Sequence, residues 1–382
     1  MPYSSEIDPL IGIYTRLNNS PRKKCAIKKY PESFIVEEVL DDTHIARAIC
    51  ENDIPDSEKR GIWQFVMVKK NLTTMEAIEI IRRKVNIPPY LVGTCGLKDK
   101  HALTAQYVTM SGIWPSMLRD FYHDKLFIRD FERVEYGLYK GAHKGNKFRI
   151  ILFMKDGEKI DTREVPYLFA NFYGYQRFGS KRPVSHVIGK YLLQEKYENA
   201  AWLYLTLIGK WESNETKLLR KRIKEEGISW DLIKQFPRHL IQEKKIAIAI
   251  LKGRIKKIKR IFGRELYNLI ISAYQSYLFN KILSRLIMEG IVSEKTLDLN
   301  LPLITRDFEC PPGDIGRIYK EVLDEENINP SSFHFERSQR RAVERAYDVK
   351  VKYCDEGPVV EFFLEKGAYA TSYLREYVDM LL

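Results

Sequence analysis

The spacing of hydrophobic residues changes character along this chain. In the first third, Phe34-Ile35-Val36-Glu37-Glu38-Val39 and Trp63-Gln64-Phe65-Val66-Met67-Val68 have the β-branched and aromatic content of strands. Between Thr73 and Val85 the period shifts: Met75, Ile78, Ile81 and Val85 recur at helical spacing, with Thr73 or Thr74 able to cap the start and Pro88-Pro89 to stop the helix. Tyr107 to Met110 predicts the next strand, followed by strands at 126–128, 134–138 and 147–153. From about residue 185 helical patterns take over. Leu266, Leu269, Ile270, Ala273, Tyr277 and Leu278 mark one buried helix face. The acidic stretch from Pro311 to Pro330 reads as loop plus a short helix. After Arg341 the strand signal returns at 359–364, ahead of a short C-terminal helix.

Strands, then helices, then a returning strand predict an α+β fold with an antiparallel or mixed sheet, interrupted by a mainly helical insertion. The expected layout is a core over 1–185, an inserted domain over 186–340 and completion of the core over 341–382. Neither G-x-G-x-x-G nor a Walker lysine occurs, which argues against a doubly wound nucleotide fold.

Composition narrows the partners. The 382 residues hold 63 basic and 51 acidic side chains, a net charge of +12, which favours a polyanion such as RNA. Six of the nine residues from Lys252 to Arg260 are basic; Lys256, Lys257, Lys259 and Arg260 suit an RNA backbone, and a solvated helix face explains them equally well. The five cysteines are widely separated, with no C-x-x-C, and the seven histidines are scattered, so neither a disulfide framework nor a metal site is expected. The N-terminus lacks the features of a secretory signal, and no apolar run has the length of a membrane span. A cytoplasmic protein is expected.

The chemistry concentrates at Gly96-Leu97-Lys98-Asp99-Lys100-His101-Ala102-Leu103-Thr104-Ala105-Gln106, on a loop ahead of a strand. A charged turn is the ordinary explanation of one Asp between lysines. In a cleft, nearby positive charge would keep such a carboxylate ionised and available as nucleophile, base or ligand.

This string closely resembles the catalytic motif of the TruD family of pseudouridine synthases. Asn171-Phe172-Tyr173-Gly174-Tyr175-Gln176-Arg177-Phe178-Gly179 resembles its second signature, and the stretch from Phe362 to Thr371, running on to Leu374-Arg375-Glu376, its C-terminal one. Weaker echoes lie at 28–38, 272–280 and 340–342. The resemblance implies a pseudouridine-synthase core carrying a helical insertion, and isomerisation of uridine to pseudouridine in tRNA, at position 13 of the D arm. It implies Asp99 as the catalytic carboxylate, attacking C1′ or C6 or acting as the base of a glycal route. No metal, nucleotide or other cofactor is required. Lys28 stands where the family has the lysine of K-x-x-P-E-D-F, with Ser33 in place of Asp, and Lys29 as an alternative basic partner.

Asn171, Tyr173 and Phe362 are the expected base- or substrate-binding residues, Asn171 through a uracil edge or by fixing the Asp99 loop. Tyr173 and Phe362 would act by stacking on a flipped base, with Tyr173 where the family more often has Phe. Core packing or a satisfied turn is the competing explanation for all three. Arg177, Lys366 and Arg375 are expected as phosphate or loop-bracing contacts, and a monomer acting on tRNA or other RNA is expected overall. The rival reading is a non-catalytic RNA-binding or chaperone protein on the same fold; a two-metal nuclease would want clustered carboxylates that the Asp99 neighbourhood lacks.

Overall fold

A computed structural model describes residues 3–18, 21–154, 158–161, 165–179 and 182–381. The chain divides into two compact units, one made of 23–167 and 345–370, the other of 1–22, 168–344 and 371–382.

The first unit is built on a mixed sheet. Its strands run in the order Leu126–Val134, Gly61–Lys70, Leu103–Ile113, Phe34–Val39, Gly145–Ile151, Gly357–Glu365 and Val343–Cys354, with Val92–Thr94 also paired to Leu103–Ile113. Phe34–Val39 lies parallel to Leu103–Ile113, with Val36 opposite Thr104, while its other edge is antiparallel to Gly145–Ile151, with Val36 opposite Phe148. The helix Thr74–Val85 buries Ala77, Ile78, Ile81 and Val85 in a cluster with Phe65, Met67, Met110 and Ile128. Thr73 caps it: its side chain accepts from the Glu76 N–H at 3.1 Å, and Glu76 accepts from the Thr73 N–H at 2.7 Å. Met75, expected on the buried face, is 61% exposed, because it follows buried Thr74 by one position, or about 100° of helix rotation.

The strand expected over 134–138 stops at Val134. Residues beyond it cross Gly93 so closely that a Cβ there would lie 2.3 Å from the Leu138 carbonyl oxygen, and the Leu138 N–H bonds the Thr109 hydroxyl at 2.9 Å instead of a ladder partner. The expected strand over 147–153 divides into Gly145–Ile151 and Phe153–Met154; the latter pairs with Lys23–Ala26.

The second unit is mainly helical, arranged around the 25-residue helix Arg264–Met288. Helix Ser185–Leu193 crosses it at Gly189, where any Cβ would fall 2.5 Å from the Ile270 carbonyl oxygen. Ile270, Ala273 and Leu278 are buried as expected, but Leu269 is 51% exposed. The expected short helix after Pro311 is a 14-residue helix, Gly313–Glu326, ended by Asn327 in the left-handed conformation. The basic window is not one helix face: Lys252 ends helix Ile241–Leu251, and a turn at Ile255–Lys257 leads into the short helix Ile258–Phe262.

Both chain ends belong to the helical unit, unlike the expected layout in which 1–185 and 341–382 form one core. Polar side chains explain the difference. Asn280 and Ser284 donate to the carbonyls of Ile11 and Gly12, each at 3.0 Å. Asp379 accepts from Ser4, Ser5 and the Ser5 N–H at 2.7–2.9 Å. Such contacts between distant residues leave no periodic signal in sequence.

Candidate active site

Asp99 lies between strands Val92–Thr94 and Leu103–Ile113, on backbone that buried side chains hold in place. Gln106 Nε2 donates to the Gly96 carbonyl at 3.1 Å, the Lys98 N–H to Thr74 Oγ1 at 3.0 Å, and Lys69 Nζ to the Asp99 carbonyl at 2.7 Å. Thr74 and Gln106 also bond each other at 2.9 Å, and Lys69 reaches the Leu72 carbonyl at 2.9 Å. Lys69 is 0% exposed. Burial pushes its ammonium down to about 8, partly offset by the Asp99 charge.

The Asp99 carboxylate faces Lys28, whose Nζ lies 3.3 Å from Oδ1. Lys28 adopts φ +57°, a left-handed conformation that costs a non-glycine residue of order 1–3 kcal/mol and so needs support from its surroundings. Its ammonium sits 4.1 Å over the Phe34 ring. Lys29 lies 4.2 Å over Phe153, so the contact to Asp99 belongs to Lys28. Ser33, the departure from the family motif, is buried and donates to the Tyr30 carbonyl at 2.6 Å, closing the turn between Lys28 and Phe34.

The lysines flanking Asp99 in sequence make other contacts. Lys98 turns inward, 2.5 Å from Glu38 Oε2 and 2.8 Å from Asn146 Oδ1; Lys100 lies 3.5 Å from Glu76. Glu38 is fully buried and also accepts the Tyr107 N–H at 3.0 Å. Removing Lys98 would strand that buried charge.

Phe362 is 2% exposed, pairs in register with Phe148 and stacks on it with centroids 5.2 Å apart at 21°. Phe148 in turn meets Phe34 edge-on at 6.4 Å. Phe362 is thus a core aromatic in the packing behind Lys28, the competing explanation raised for it from sequence.

The other unit holds Asn171 and Tyr173. Asn171 is 2% exposed; its Nδ2 donates to the Arg341 carbonyl at 3.1 Å and its Oδ1 accepts from Arg340. Arg340 also donates from Nε to the Asn171 carbonyl at 2.8 Å, and its guanidinium lies 4.2 Å over the Tyr173 ring. Asn171 therefore orients Arg340, where the sequence suggests a uracil edge or the Asp99 loop. Tyr173 is further fixed by Asn280, which accepts its N–H at 2.8 Å and donates to its carbonyl at 3.1 Å. Arg177 bonds Ser276 at 3.1 Å.

Comparison with known proteins connects these features. The sequence model of tRNA pseudouridine synthase D (TruD) matches residues 10–299 and 288–377. The chain is 31% identical over 377 residues to a Methanocaldococcus jannaschii protein named "Probable tRNA pseudouridine synthase D 1", covering 92% of this chain and 95% of the relative. It is also 31% identical over 424 residues to a Pyrococcus furiosus relative named "Probable tRNA pseudouridine synthase D", covering 97% and 98%. This chain belongs to the TruD family. A crystal structure of the Methanosarcina mazei protein assigned to TruD has the same fold, with a TM-score of 0.74 and 23% identity over 98% of each chain.

Several residues of TruD-like motifs prove structural in this chain. Arg375 is 1% exposed and paired with Asp8 at 2.7 Å, so it braces the helical unit and is closed to phosphate. Lys366 donates to the Gly141 carbonyl at 2.9 Å, a loop brace. Lys256, Lys257, Lys259 and Arg260 are exposed, while Ile255 and Ile258 anchor them from below. Lys259 is held 5.5 Å from the Tyr267 ring and 5.9 Å from that of Tyr197.

Among the described residues, Glu38, Cys95 and His143 form one grouping with metal-ligand chemistry. It suits a cation poorly. Lys98 already neutralises Glu38, burial pushes the Cys95 thiol up to about 12, and Lys98 and Lys366 place positive charge near His143.

Sequence reasoning missed Lys69, Thr74, Gln106, Glu38 and Arg340. Each acts through side-chain contacts across the fold. Gln106 ends the motif that holds Asp99, Glu38 and Arg340 lie in the weak echoes at 28–38 and 340–342, and Thr74 stands at the expected helix start, so the sequence marks their positions but not these contacts; Lys69 left no signal.

Proposed function

We propose that this protein isomerises a uridine of tRNA to pseudouridine, at position 13 of the D arm, with Asp99 as the reacting carboxylate. The observation that carries the proposal is the Asp99–Lys28 pair, 3.3 Å apart, on an anchored loop within the family's motif. The reaction breaks N1–C1′, turns the uracil and forms C5–C1′; the C5 proton is lost and N1 gains one, so nothing is consumed. Attack at C1′, attack at C6 and proton abstraction toward a glycal all need an ionised carboxylate beside the sugar, and an ammonium at this distance stabilises that ion.

Tyr173 with Arg340 on its ring, and Arg177, supply aromatic and guanidinium planes of the kind that receive RNA bases. The helical part is read as the inserted domain, and its exposed Lys256, Lys257, Lys259 and Arg260 as backbone contacts. The protein would act as a cytoplasmic monomer without metal or cofactor. A non-catalytic RNA binder is the weaker reading, because a partly exposed carboxylate beside phosphates would only weaken simple binding. Among the described residues, no helix is long and apolar enough to cross a membrane.

Mapping pseudouridines in unmodified tRNA transcripts incubated with the purified protein tests this reading. Pseudouridine should appear at position 13. Formation elsewhere only would move the site, and formation nowhere would reject the activity.

A further inference from the structure

Leu97, two residues before Asp99, is 74% exposed. An exposed leucine is ordinary on a protein surface. This one stands on unusually constrained backbone. The Gly96 carbonyl, the Lys98 N–H and the Asp99 carbonyl are each bonded to a buried side chain, from Gln106, Thr74 and Lys69, at 3.1, 3.0 and 2.7 Å. Three anchors within four residues fix the Leu97 backbone while its side chain stands clear. The residues that follow, Lys98, Asp99, Lys100 and His101, are polar or charged, so Leu97 does not extend an apolar patch along its own loop. Lys98 and Lys100 are drawn aside toward Glu38 and Glu76.

We propose that Leu97 is a wedge that enters the tRNA base stack at the step vacated by the target uridine. This rests on the function proposed above. A nucleotide must leave its stack before a side chain can reach its sugar, and the vacated step forfeits stacking contacts. Apolar side chains inserted between bases restore part of that contact. Two residues of chain span at most about 7 Å, which keeps the wedge close to the carboxylate. Because the backbone is already fixed, inserting the side chain costs little ordering entropy.

The test uses the full-length protein, its Leu97→Ala and Leu97→Met variants, and a tRNA transcript with 2-aminopurine directly 3′ of the target uridine. Single-turnover pseudouridine formation, the 2-aminopurine fluorescence change on binding, and melting temperature are measured together. Leu97→Ala should slow the single-turnover rate by roughly tenfold or more and reduce the fluorescence change. Leu97→Met should restore both to near the parental values, and all three proteins should melt alike. A parental rate in Leu97→Ala overturns the proposal. So does a slowed rate with a parental fluorescence change, which would assign Leu97 to loop geometry. A parent that forms no pseudouridine would sink the functional reading itself, whereas an active parent with an indifferent Leu97→Ala sinks only the wedge.

Discussion

Lys28 holds the Asp99 carboxylate, while Lys69 holds the Asp99 backbone, so their removal should fail in different ways. Lys28→Met keeps the length of the side chain and loses the charge. We expect single-turnover pseudouridine formation to fall roughly ten- to hundredfold, the kinetic equivalent of about 1–3 kcal/mol, with melting temperature near the parent's. Lys69→Met leaves the Asp99 and Leu72 carbonyls without their donor in a buried setting, at about 1–3 kcal/mol. It should lower melting temperature and rate together. A Lys69→Met protein of parental stability and activity would show that the anchor is dispensable. The motif makes Asp99 legible from sequence, but not its partners. Lys98 and Lys100 are its neighbours in the chain, yet their side chains leave toward Glu38 and Glu76, while the counter-charge arrives from Lys28, 71 positions earlier in the chain. Asn171 carries the motif, but its contacts to Arg340 and Arg341 come from residues about 170 positions away that the motif does not name.

At the scale of elements, hydrophobic period locates the strands and helices and misplaces features decided by contact. The helix Thr74–Val85 is readable with its Thr73 cap, whereas the spacing puts Met75 on the wrong face by one residue. The strand beyond Val134 fails because the Thr109 hydroxyl takes the Leu138 N–H. The basic run is split between a turn and a short helix, so its cations do not line one helix face. If these cations bind phosphate, replacing Lys256, Lys257, Lys259 and Arg260 should flatten the log–log salt dependence of tRNA affinity by roughly 0.7–0.9 for each phosphate no longer neutralised. An unchanged slope would make the run a solvated surface. His186 gives the helical unit a pH dependence. It is stacked 4.8 Å from Tyr277 and edge-on to Phe178 at 5.4 Å, and burial pushes it down to about 4. The unfolded state therefore binds a proton that the folded state refuses between about pH 6.5 and 4. Stability is fully present above that window and is lost as pH falls through it, by up to about 3 kcal/mol. His186→Phe should flatten the acid limb of melting temperature against pH; an unaltered limb would place the titration elsewhere.

At the scale of the whole molecule, the returning strand signal after Arg341 correctly announces a mixed sheet that the chain leaves and rejoins. Val343–Cys354 and Gly357–Glu365 join the sheet through Gly145–Ile151, far earlier in sequence. The packing of the two chain ends on each other and on the long helix is invisible in the sequence, since it rests on Asp8–Arg375 and Asp379 with Ser4 and Ser5 for the first and Asn280 with the Ile11 carbonyl for the second. The central claim is that the scaffolding around the Asp99 loop serves one carboxylate. It is tested most directly by single-turnover pseudouridine formation in tRNA by Asp99→Asn beside the parent, with tRNA affinity and melting temperature measured on the same preparations. The amide keeps size and polarity but cannot act as a carboxylate nucleophile or base. Asp99→Asn should give no detectable product, with affinity and melting close to parental. Turnover at a rate comparable to the parent's would contradict the claim and place the chemistry on another residue.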